Sequence, residues 1–148
     1  MLDSSIKMKK TITPFVLGLI AKDRKYLLTK RKEIDREDPS DFVGKWQIPG
    51  GGIDYGETVE ISLKRELKEE IRIEVEIIKL IPLIINSIRK NWHGIGMAYL
   101  CKLKDPSQKI KLNGESSEFG WFTFEEAMNL DVLPGVKEVI RVTEKRDF

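Results

Sequence analysis

The chain has one cysteine, one histidine and almost no net charge, and each scarcity removes a class of function. With Cys101 alone, neither an intramolecular disulfide nor a thiolate metal cluster can form, and a reducing, cytoplasmic setting is the simplest expectation. His93 has no second imidazole with which to share a metal and no nucleophile signature around it. It therefore reads as a surface or rim residue rather than a catalytic base. Against 26 Lys and Arg stand 24 Asp and Glu, a formal charge of +2. That balance argues against a protein whose main task is non-specific nucleic-acid binding, and no nucleic-acid partner is expected. No apolar run approaches the ~18 residues needed to span a bilayer, so no membrane segment is expected. The opening "KMKKTITPFVLGLIA" imitates a secretory signal, but Pro14 interrupts it and no small-x-small cleavage site precedes Lys22 and Asp23. Its β-branched and aromatic residues suit a strand better. Internal repeats and low-complexity segments are also missing.

What is present suits a soluble globule: 148 residues, 41% hydrophobic and 34% charged, expected to fold as one domain over residues 1–148. Residues 12–21 and 26–30 read as two strands joined by the charged turn "KDRK", followed by the mixed-charge loop "RKEIDREDPSD". "KWQIPGGG" places a short strand against a glycine-rich turn, because Pro49 cannot donate to a ladder and Gly50, Gly51 and Gly52 permit unusual backbone angles. A helix over 58–71 follows, with Thr58 as its N-cap. "IRIEVEIIKLIPLII" suggests one or two strands, and 94–104 and 117–124 two more. Thr123 and Glu126 form a capping-box pattern for a short helix to about Leu130, and Pro134 opens a last helix to about Lys145. Strands outnumber helices, which predicts an α+β or layered mixed sheet rather than repeated βαβ units. Neither phosphate-binding glycine pattern can be read around 50–56.

The helix over 58–71 carries the chemistry. At about 100° per residue, Val59, Leu63, Leu67 and Ile71 share one stripe, and Ser62, Glu66, Glu69 and Glu70 the stripe beside it. Three carboxylates at i, i+3 and i+4 repel, at roughly 0.2–0.5 kcal/mol per pair. The two later acids sit near the helix C-terminus, where the macrodipole favours cations. Hard carboxylate oxygens beside a glycine turn suit Mg²⁺ or Mn²⁺, which would turn repulsion into shared attraction. On that reading the metal-free protein is less stable in this helix; the plainer reading is a solvated surface helix.

The spacing extends further. Gly51, Glu57 after five residues, Arg65-Glu66-Leu67 after seven more, then Lys68-Glu69-Glu70 and Ile73 closely resemble the signature of the Nudix hydrolases, G-x5-E-x7-R-E-U-x-E-E-x-G-U with U a bulky aliphatic. The preceding "IPGG" is also typical of that family. One position departs: the second glycine is Arg72 here, where a left-handed C-cap would cost a non-glycine residue roughly 1–2 kcal/mol.

The resemblance implies an α/β/α sandwich around a mixed sheet that hydrolyses a nucleoside diphosphate linked to another group. It implies Mg²⁺ (Mn²⁺ as substitute) held by Glu66, Glu69 and Glu70 with the Gly50 carbonyl, oriented by Arg65 and Glu57, with Gly51 as the box's first glycine. A further acid is expected from the loop before Trp121, where Glu115 is favoured over Glu118 as ligand or base. Arg31 and Lys45 are candidate phosphate contacts, and Trp46, Ile48 and Trp92 candidate walls for a base. For each, a solvated or core side chain is the ordinary alternative. The favoured activity is conversion of a nucleoside triphosphate to monophosphate and pyrophosphate. The alternatives are an ADP-ribose or ADP-sugar pyrophosphatase and a non-catalytic nucleotide-binding module. "LDVLPGVKEV" lacks the side-chain amide carried near there by mutator-type members that read a base. Pro82 falls too close to the box for the proline spacing of many ADP-ribose-cleaving relatives. A homodimer fits the resemblance too, with the apolar run 77–85 as either core or interface.

Overall fold

A computed structural model describes residues 10–32, 42–89 and 91–146. Most of the loop "RKEIDREDPSD" lies outside these residues. The elements run β1 (Ile12–Lys22), β2 (Lys25–Arg31), β3 (Trp46–Gln47), β4 (Gly50–Gly52), α1 (Val59–Ile71), β5 (Val75–Leu80), β6 (Ile85–Arg89), β7 (Trp92–Leu103), β8 (Ser116–Phe122), α2 (Phe124–Met128) and α3 (Val136–Lys145).

The first hairpin forms as the charged turn predicts. Asp23 and Arg24 both take positive φ, at 51° and 61°, and join Lys22 to Lys25 in the two-residue geometry that matches strand twist. β1 then runs parallel to β7, from Ile12 opposite His93 to Ile20 opposite Cys101. The other pairings are antiparallel: β4 against Phe15–Leu17 of β1, β6 and β5 along the far edge of β7, and β3 and β8 on either side of β2. The result is the mixed sheet that the element order predicts.

Alternation along β1 assigns the two faces. Val16 and Ile20 pack with Leu63, Leu67 and Ile71 of α1, while Leu19 packs with Val136, Val139 and Ile140 of α3 and Ala127 of α2. Helices on both faces make the α/β/α sandwich. α1 approaches closely: a Cβ at Gly18 would stand 3.1 Å from the Cδ1 atoms of both Leu63 and Leu67. Cys101 is fully buried on that face, with its thiol pushed up to about 12 mainly by burial.

Two boundaries and one buried stripe differ from the sequence reading. α2 stops at Met128 rather than near Leu130, although its capping box forms in both directions as read. α3 begins at Val136 with Gly135 as N-cap at φ 94°, so Pro134 precedes the cap rather than filling the first turn. Val59 is half-buried, whereas Ser62 is fully enclosed, so the buried stripe of α1 is rotated slightly toward the acids. No helix among the described residues is long and apolar enough to cross a membrane.

Candidate active site

The glycine turn and α1 are built against each other. Thr58 accepts from the Ile61 amide and starts the helix, and Glu57, just before it, accepts from the Ser62 hydroxyl at 2.7 Å. Arg65, two turns on, reaches back to Glu57 with Nε at 2.8 Å and Nη2 at 2.9 Å, a bidentate fork. The same guanidinium donates to the Gly52 carbonyl at 3.2 Å, Glu66 at 3.0 Å and Glu69 at 3.3 Å. Arg65 thus pins the helix to the turn and neutralises much of the acidity that the i, i+3, i+4 spacing creates. Its bonds hold the Glu57 carboxyl down at about 2.

Glu70 has no such partner. It is half-buried, accepts a long bond, 3.4 Å, from the Gly50 amide, and feels the charge of Arg31. Burial first, and the neighbouring charges of Glu115 and Glu66 second, push its carboxyl up to about 8. Burial raises Glu66 as well, with Arg65 opposing. Three carboxylates therefore face one another with too little positive charge among them. The glycines leave them room: a Cβ on Gly51 would strike the Glu66 carboxylate, and one on Gly50 the Val16 carbonyl.

A cleft of about 670 Å³ opens over this spot. Its lining brings together Glu70, Glu115, Arg31, Ile48 and Gly50–Gly52 from the residues singled out in the sequence, and Trp92 at another wall. Lys45 and Trp46 are elsewhere. Lys45 is bonded to Asp131 at 2.8 Å, and Trp46 stands edge-on to Phe122 with centroids 4.9 Å apart. Glu118 lies on β8, opposite Lys30, and outside the cleft. His93 sits half-buried in β7 opposite Ile12 and Ile88.

The cleft also uses residues that the sequence reading passed over, chiefly Phe15, Ser87 and Arg89. The alternation of Ile85, Ser87 and Arg89 on β6 was the available signal, since period 2 puts all three on one face. Leu133 to Val136 close another side, because the Trp46 amide and carbonyl bond the Asp131 carbonyl and Leu133 amide and tie that loop to β3.

The donor set is hard oxygen and fits a divalent cation, with Glu70 the member whose charge burial and neighbours leave least compensated. Among the described residues no three such side chains yet converge in ligand geometry. Arg65 takes one oxygen of Glu66 (Oε1) and one of Glu69 (Oε2), which leaves a second oxygen on each carboxylate for a cation.

Comparison with known proteins agrees with this geometry. A family model described as the NUDIX domain matches residues 9–142. The nucleoside triphosphatase NudI of Escherichia coli K12 is 28% identical over 135 residues, covering 86% of this chain and 93% of that protein. Among solved structures, the MutT protein of Methanosarcina mazei Go1 superposes with a TM-score of 0.78 at 22% identity, covering 95% of this chain and 99% of the other. A MutT Nudix hydrolase from Burkholderia pseudomallei gives 0.75 at 24%, covering 89% and 98%. At those identities the two structures speak to the fold, whereas the family match takes in the signature itself: the chain belongs to the Nudix family and is a Nudix hydrolase.

Proposed function

We propose that the protein hydrolyses nucleoside triphosphates to the monophosphate and pyrophosphate, using Mg²⁺ held at the floor of the cleft. The observation that carries this reading is Glu70, a carboxyl driven to about 8 by burial beside Glu115 and Glu66. A buried acidic cluster of that kind is costly without a cation and useful with one. Glu66, Glu69, Glu70 and the Gly50 carbonyl would hold the cation, with Glu115, which also lines the cleft, as a further ligand. A bound Mg²⁺ supplies charge for the phosphate oxygens and lowers the pKa of water.

The chain's own residues do the rest. Arg65, fixed by Glu57 and Gly52, orients Glu66 and Glu69. On this reading Glu69, the more exposed of that pair at 58%, or Glu115, which lines the cleft, takes a proton from the attacking water. Arg31, which lines the cleft and whose charge acts on Glu70, contacts the substrate phosphates. Ile48 walls the cleft with apolar surface. NudI's designation as a nucleoside triphosphatase supports the choice of substrate class over ADP-sugars.

The test is a phosphate-release assay coupled to pyrophosphatase, run over ribo- and deoxyribonucleoside triphosphates with Mg²⁺, Mn²⁺ or EDTA, and over ADP-ribose with alkaline phosphatase added. Metal-dependent release of pyrophosphate that Glu69→Gln removes is the expected result. Turnover of ADP-ribose alone would move the substrate to the ADP-sugars. Tight nucleotide binding without turnover at any divalent ion would make the protein a binding module.

A further inference from the structure

Phe15 and Ser87 put one face of β1, β7 and β6 into the cleft, and the opposite face of the same three strands is open and apolar. In register across them, Ile12 stands beside His93 and His93 beside Ile88. The next rung is Pro14, Ile95 and Asn86. The third sets Val16 beside Met97, with Ile84 alongside just before β6 begins. Period 2 places all three rungs on the side away from the cleft. α1 covers this side only from Val16 onward. Val16 is fully buried against Leu63 and Leu67, whereas Ile12 is 56% exposed, Ile84 65% and Ile88 73%. Leu80, opposite Tyr99, carries the strip on along β5 and is 50% exposed. In a chain whose residues are 34% charged, no Asp, Glu, Lys or Arg stands on these rungs.

A contiguous apolar patch of this kind marks a contact surface, whereas isoleucines exposed singly would need no explanation. We propose that a second copy of the chain docks here, giving a two-fold dimer through the outer face of β1, β7 and β6. Charge and area both favour that occupant. An uncharged face offers a charged partner nothing to complement, and laid on its own copy it brings no like charges together. The three rungs measure ~10 Å across the strands and ~13 Å along them, and with ~5 Å of side chain all round they cover roughly 450 Å² per copy. Two such faces, extended by Leu80, bury about 1,000 Å² in total, the size that a specific interface has to reach. That area makes a weak dimer, with Kd on the order of 10 µM. Both clefts stay accessible, because they open on the opposite face of the sheet. The dimer goes beyond the hydrolase reading and does not depend on it.

The experiment is sedimentation velocity on the full chain from about 1 to 300 µM, a range set to bracket that Kd, for wild type, Ile84→Asp and Ile88→Asp. Both side chains are mostly exposed, so each variant should keep the circular dichroism spectrum and melting temperature of the wild type monomer. The wild type should pass from monomer to dimer across the range. Each variant sets an unpaired carboxylate inside the contact and should weaken the dimer at least about 100-fold, leaving monomer throughout. If either fails to fold, Asn86→Lys, which charges an exposed polar position on the middle rung, should dissociate the dimer in the same way. A dimer unmoved by these substitutions is built on a different surface and overturns the proposal. A wild type that stays monomeric throughout also overturns it, and leaves the face to residues 1–9 of the same chain or to a different protein.

Discussion

Replacing Glu70 by glutamine should make the metal-free protein more stable, the opposite of what removing a buried, paired charge usually does. Glutamine keeps an acceptor for the Gly50 amide and the same shape, and removes only the charge. The Glu70 carboxyl rises from 4.5 to about 8 on folding. A raised folded-state pKa for an acid means that the fold binds a proton the unfolded chain has released. Stability is then full below pH ~4.5, falls as pH rises, and is lost by the time pH passes about 8. At ~1.36 kcal/mol per pH unit, and with allowance for relaxation around a coupled cluster, the cost at pH 8.5 is roughly 2–4 kcal/mol. For a chain of this length that is on the order of 5–15 °C in Tm. Thermal melts of wild type and Glu70→Gln in EDTA, from pH 4 to 8.5, check it. The curves should coincide near pH 4 and separate with the variant higher by pH 8.5. In Mg²⁺ at a hundred times Kd the gap should narrow by about 2.7 kcal/mol, since only the wild type gains full binding energy. A variant less stable than wild type in EDTA at pH 8.5 would refute the claim that the Glu70 charge is under-compensated.

Other substitutions probe the parts around it. Arg65→Lys keeps the charge but cannot make the fork to Glu57 while reaching Gly52 and Glu66, so metal-dependent turnover should fall about 10²-fold with the fold intact by circular dichroism. Gly51→Ala puts a methyl group against the Glu66 carboxylate, and should weaken Mg²⁺ affinity measured by titration at least tenfold, within the range typical of disturbed ligand support. Arg72, which closes α1 at φ 58°, pays for a left-handed cap that glycine would adopt freely, so Arg72→Gly should raise stability by about 1 kcal/mol in denaturant melts without changing turnover.

The parts of the fold that the sequence disclosed are those set by nearby residues. The "KDRK" turn, the Thr58 cap and the Thr123–Glu126 box each act within a few positions, and all three formed as read. The acids of α1 were visible for the same reason, their spacing being fixed by the helix itself. Arg72 shows the limit: it takes the left-handed conformation with its backbone N–H donating to the Lys68 carbonyl, so the helix ends where glycine would have ended it. The Phe15 wall of the cleft was not visible. Phe15 meets Gly94 and Gly96 only through the parallel pairing of β1 with β7, strands that lie far apart in the chain. Lys45 shows the converse: it sits beside the glycine turn in sequence, yet in the fold its ammonium bonds Asp131 at 2.8 Å and it is not among the residues that line the cleft.

The central claim is that Glu66, Glu69 and Glu70 share a divalent cation on which cleavage depends. Its most direct test is a Mn²⁺ titration followed by electron paramagnetic resonance, with turnover measured on the same samples of wild type and Glu66→Gln. The account predicts bound Mn²⁺ and turnover that rise together in the wild type and are both lost in the variant. Undiminished Mn²⁺ binding and turnover in Glu66→Gln would contradict it.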